Sequence, residues 1–164
     1  MDAPLWKLLA DAASGPITIS IGGEPVEVRS FADWSSATAV VSTLVLVEPK
    51  FEGGACVIEN RAEVAGKVVL IQRALVPSGE HKGKNGFSVK AFAAQEAGAV
   101  GVIFANNEGS DTVMQMGSTG EAIRIPVAMI SLDEGARAQK LGAGAAVAMG
   151  KLSAEAVRAA VEAD

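Results

Sequence analysis

The chain has 164 residues, 49% of them hydrophobic, and a mean hydropathy of +0.31, enough for one folded domain and too apolar for a disordered chain. With a net charge of −5 and a pI near 4.9, its one dense basic patch is His81-Lys82-Gly83-Lys84, so nucleic acid is not an expected partner. No run reaches the roughly 20 apolar residues of a bilayer span, the amino terminus lacks a signal-peptide pattern, and a single cysteine, Cys56, excludes an intrachain disulfide.

The lone thiol leans towards a reducing compartment, intracellular or an organellar matrix, with an endomembrane or secretory lumen left open. Five Phe, two Trp and no Tyr mean that the core is built from Val, Ile, Leu and Ala, which suits small helices packed closely on a sheet.

Residues 3–13 read as a short amphipathic helix stopped by Ser14-Gly15-Pro16. ITISIGGEPVEV, with apolar residues alternating on either side of Gly22-Gly23, predicts a hairpin from Ile17 to Val28. TAVVSTLVLV is rich in β-branched residues and ends before Pro49, so it predicts a strand. Phe51 to Val64 reads as loop and short extended pieces. KVVLIQR, from Lys67, is a nearly continuous apolar run of strand length, followed by the polar Gly/Lys-rich loop ALVPSGEHKGKNG.

FSVKAFAAQEAG predicts a helix stopped at its Gly, AVGVIFANN a second buried strand, and IPVAMIS a third. Ser131 with Glu134 three residues on is a capping-box pattern opening a helix to about Leu141. GAAVAMG closes as a last strand, and a C-terminal helix capped by Ser153 follows.

Strands alternating with helices give an α/β order, and apolar runs without alternation mean strands covered on both faces. Val100, Val102, Ile103 and Phe104 are assigned to the core, each contributing about 1.5–3 kcal/mol on full burial. Asn106-Asn107, just beyond them, stand where α/β folds place binding surfaces. Asn is also a turn former, so the pair reads first as a turn, with partner contact as an addition and active-site chemistry not expected.

An ordered series of motifs resembles the protease-associated (PA) domain family. Gly66-Lys67-Val68-Val69-Leu70-Ile71-Gln72-Arg73 is similar to its strand from Gly-Lys to Arg, and Phe87-Ser88-Val89-Lys90 to its Phe-x-x-Lys helix start. Ala97-Gly98-Ala99-Val100-Gly101-Val102-Ile103 followed by Asn106 is similar to its most characteristic segment, and Ile125-Pro126 with Ser131 to its closing strand and turn. The resemblance covers about residues 66–150 and extends back to the strand at 37–47. It implies an α/β fold of the swivelling β/β/α type, a barrel-like sheet core flanked by short helices. It also implies a non-catalytic role: binding partner proteins, gating a protease site, or capturing cargo. Where many members continue Arg-Gly and carry Cys-x-Phe, this chain has Ala74 and Asn85, so the secretory-type disulfide of those members is absent.

His81 in its Gly/Lys loop could accept a phosphoryl group, as in mobile phosphohistidine domains. A titratable group without a positioned partner reads better as a solvated loop residue. Cys56 reads as a buried structural thiol rather than half of a Cys-His dyad. Glu108, Asp111 and Glu121 supply oxygen donors for Ca²⁺ or Mg²⁺, but their spacing matches no ordered coordination loop. No dinucleotide fingerprint, phosphate loop or nucleophile elbow is present.

The expectation is therefore a PA-like domain over 36–150, with an N-terminal helix and hairpin extension over 1–35 and a helical tail over 151–164. It is expected to be an accessory or docking module for another protein or peptide, without catalytic residues, metal or cofactor. The expected partner contacts are Arg73, His81, Lys82, Lys84, Asn106, Asn107 and Asp111, on loops 75–86 and 106–121. The alternatives are phosphotransfer through His81, or a module binding a small ligand or metal. The sequence leaves partner identity and oligomeric state open.

Overall fold

The computed structural model describes residues 17–36, 38–52, 55–73, 86–106, 116, 118 and 120–150. The helices expected at 3–13 and after Ser153, and the loop at 75–85, lie outside the described residues.

The chain opens with the predicted hairpin: β1 (Thr18–Ile21) and β2 (Glu24–Val26) pair antiparallel around Gly22-Gly23. Both glycines take positive φ, 64° and 82°, the backbone a two-residue hairpin turn demands. A two-residue β3 (Ser30–Phe31) precedes β4 (Val40–Leu46), the strand expected from TAVVSTLVLV. The stretch read as extended pieces holds the small hairpin β5 (Lys50–Glu52) and β6 (Ala55–Val57). It also holds the four-residue helix α1 (Arg61–Val64), too short to leave a period in the sequence.

The remaining elements are β7 (Val68–Gln72), α2 (Phe87–Glu96), β8 (Gly101–Ala105), β9 (Val127–Ile130), α3 (Leu132–Leu141) and β10 (Ala146–Gly150). They match the predicted order with small boundary shifts. Val100 is one such shift: it falls before the strand and is half-buried, while Val102, Ile103 and Phe104 are fully enclosed.

Eight strands form one mixed sheet in the order β2-β1-β10-β4-β7-β8-β9-β3, curled into a half-barrel. Its centre, β4 to β9, is parallel: Leu44 lies beside Val68, Val68 beside Gly101, and Val102 beside Val127. These strands carry little alternation because both faces are covered. Val69, Ile71, Val102 and Phe104 face a core completed by Ala91, Ala94 and Ala97 of α2 and its C-terminal cap. Their strand neighbours Val68, Leu70, Ile103 and Ala105 face a second core with Ala138 of α3 and Ile19, Ile21, Val147 and Met149. Residues 17–26 thus share one sheet and one core with the chain after residue 36.

Two details set the helices. Ser131 Oγ accepts a hydrogen bond from the Glu134 amide at 3.1 Å, the expected cap; the Glu134 carboxylate turns instead to Arg137 at 3.0 Å. Gly135 lies so close to β8 that a Cβ there would stand 2.5 Å from the Cβ of Ala105, so only glycine lets α3 pack at this depth.

Candidate functional site

Parallel strands present their carboxyl ends side by side, and the chain uses that edge. The ladder continues one step past the strands, with the Arg73 amide on the Ala105 carbonyl at 2.8 Å and the Asn106 amide on the Ile130 carbonyl at 3.0 Å. The residues after β7 and β8 are therefore held in register. Arg73 Nη1 donates to Asn106 Oδ1 at 3.0 Å.

Asn106 is only 5% exposed. Its side chain acts as an acceptor that fixes the guanidinium. No non-glycine residue among those described has positive φ, so Asn106 is not a left-handed turn residue. Of the expected contact residues, the structure brings Arg73 and Asn106 together. His81, Lys82, Lys84, Asn107 and Asp111 lie outside the described residues.

The segment leading into β9 is tied to α2. Gln95 is buried and donates to the Ala122 carbonyl at 2.9 Å while accepting from the Arg124 amide at 2.6 Å. Ser88 Oγ donates to Glu121 Oε2 at 2.6 Å in the first turn of the helix, where a carboxylate is also favoured by the helix dipole. Trp34 Nε1 holds the Met116 carbonyl at 2.9 Å. Glu121, weighed from sequence as an oxygen donor for a cation, is thus engaged with Ser88. Among the described residues no group of three or more His, Cys, Asp or Glu side chains is placed to hold a metal ion.

Lys90 is the residue the sequence reading missed as a functional candidate. It is 5% exposed on α2, and among the described residues its ammonium makes no hydrogen bond or ion pair. Burial pushes its amine below the ordinary value of 10.5, with the neighbouring Cys56 acting weakly the other way. Cys56 is half-buried, and its thiol is raised above 9.0 by burial, an effect that Lys90 partly offsets. The sequence suggested a buried thiol, whereas the side chain is only half-buried. The helix that carries Lys90 buries it with Ser88 and Gln95 among alanines, so no apolar stripe in the sequence singled it out.

No helix among the described residues is long and apolar enough to cross a membrane.

None of the curated proteins matches the chain in sequence. Among solved structures, a zinc aminopeptidase from Bacillus subtilis is similar with a TM-score of 0.62 and 18% identity, over 89% of this chain and 36% of that one. An aminopeptidase from Aneurinibacillus sp. strain AM-1 gives 0.58 and 20% identity, over 92% of this chain and 38% of that one. A peptidase M28 precursor from Shewanella amazonensis SB2B gives 0.53 and 20%, over 89% and 40%. At these identities the likeness is one of fold, and the chain spans little more than a third of the length of these proteins. The PA domain profile matches residues 40–138, more than half of the sequence, and covers the parallel strands, α2 and most of α3. The chain belongs to the PA domain family.

Proposed function

We propose that the chain is a non-catalytic docking module that binds another protein or peptide within a larger, peptidase-type assembly. The observation that carries this is the match of a PA domain to a chain whose fold accounts for only about a third of several peptidases. The peptidase activity named for those proteins belongs to their full length. The bond from Arg73 to Asn106 at the ends of the buried strands supports the reading by fixing the base of the two loops. The loops at 75–86 and 106–121 would supply the rest of the contact.

Affinity capture from the source organism tests it, using the tagged chain beside a variant with Gly-Ser in place of His81 to Asn85. A stoichiometric protein partner retained by the wild type and lost by the variant is the expected result. Absence of a stoichiometric partner from both captures overturns the reading.

A further inference from the structure

A crevice of about 580 Å³ opens at the carboxyl ends of β4 and β7, within the size range of small-molecule sites. Its floor is apolar, formed by Leu46, Val47 and Leu70. Three polar residues from different elements line it: Gln72 at the end of β7, Lys90 of α2 and Gln139 of α3. The two helices cover opposite faces of the sheet, so the crevice straddles the edge where the faces meet. Open α/β sheets place ligands in such a crevice.

Lys90 is 5% exposed overall and its ammonium has no internal acceptor among the described residues, so solvent or a ligand in the crevice must satisfy it. One lysine matches one negative charge, and Glu48 on the same wall disfavours a second. The two carboxamides can donate to a planar anion, and the floor suits an aliphatic body.

We propose that this crevice binds a monocarboxylate with a short aliphatic body, its carboxylate on Lys90 between Gln72 and Gln139. The proposal does not rest on the docking reading, whose residues are Arg73, Asn106 and the loops. The carboxylate could come from a free acid or from the C-terminus of a peptide, two sources with one chemistry.

Amide chemical-shift titration of the ¹⁵N-labelled chain decides it. The probes are isovalerate, its neutral counterpart isovaleramide, and N-acetyl-glycyl-leucine with a free or an amidated terminus. Saturable shifts confined to residues 46–48, 70–72, 90 and 139, given by the acids and not by the amides, are expected. Binding by isovalerate alone identifies a free acid, and tighter binding by the peptide acid identifies a peptide terminus.

Lys90→Met should weaken the acid about tenfold or more, as loss of a charged hydrogen bond does. Gln139→Glu, at an exposed position where folding is not at stake, should weaken it several-fold by repulsion. Equal response to acid and amide, no response at these residues, or unchanged affinity in Gln139→Glu and a folded Lys90→Met overturns the proposal.

Discussion

At the scale of single residues, two buried polar side chains carry opposite lessons. Asn106 is satisfied: it accepts from Arg73 and closes the ladder to Ile130. Removing its side chain takes an acceptor from a guanidinium, so Asn106→Ala should cost about 1–3 kcal/mol. Urea unfolding should show this as a lower midpoint at unchanged slope, and a loss under about 0.5 kcal/mol would mark the pair as incidental to the fold. Lys90 is the reverse case, a buried cation that opposes folding. Its folded amine titrates below its unfolded value of 10.5, so between those two values the unfolded chain holds the extra proton. Stability therefore rises with pH across that interval, and the penalty is fully present below it. Lys90→Met should raise the melting temperature at neutral pH, and its advantage should shrink as pH approaches 10.5. The raised Cys56 thiol works in the other direction above 9.0, where stability falls as the unfolded chain ionises first. Melting curves from neutral pH to the alkaline limit separate the two, and a constant gap between wild type and Lys90→Met would contradict the assignment to Lys90.

Elements were legible where one local force dominates. The Gly22-Gly23 hairpin, the β-branched β4, the apolar β7 and β8 and the capped α3 each follow from turn chemistry, chain stiffness or a cap visible in the sequence. What escaped depends on contacts distant along the chain. β3 is two residues whose described strand pairing is with β9, and α1 is a single turn closed against the rest of the fold. At the candidate site, Arg73 and Asn106 could be named from their places after apolar runs, but not their mutual bond across 33 residues. Lys90 was hidden because α2 buries Ser88, Lys90 and Gln95 among alanines and shows no clean apolar side. The depth of α3 on the sheet was equally hidden, since Gly135 reads as a poor helix former until Ala105 is known to lie beneath it. Gly135→Ala gains up to about 1 kcal/mol of helix propensity, yet overpacking costs typically about 1–3 kcal/mol. The variant should be destabilised on balance. Adding Ala105→Gly removes the clashing methyl, so the double variant should recover more stability than the two single effects predict. Simple additivity in that cycle would show that the helix shifts freely and that its depth is not set at this contact.

For the whole molecule, the order of the strands decides what can be removed. β10 lies between β1 and β4, so the last described strand joins the first hairpin to the parallel centre. The profile match begins at residue 40, which suggests a detachable N-terminal piece, whereas Ile19, Ile21 and Val26 sit in the same core as Leu44, Leu70 and Ile103. At about 1.5–3 kcal/mol for each fully buried side chain, those three account for roughly 5–9 kcal/mol. A domain of this size has a net stability of only about 5–15 kcal/mol. Losing the hairpin also bares one edge of β10 and uncovers Val147 and Met149. A chain of residues 36–150 should accordingly show no cooperative melt, and should bind hydrophobic dye where the longer chain does not. Restoring residues 17–35 should return a single transition. If 36–150 instead melts cooperatively near the temperature of the whole chain, the hairpin is an accessory. In that case the sheet from β10 to β9 carries the stability alone.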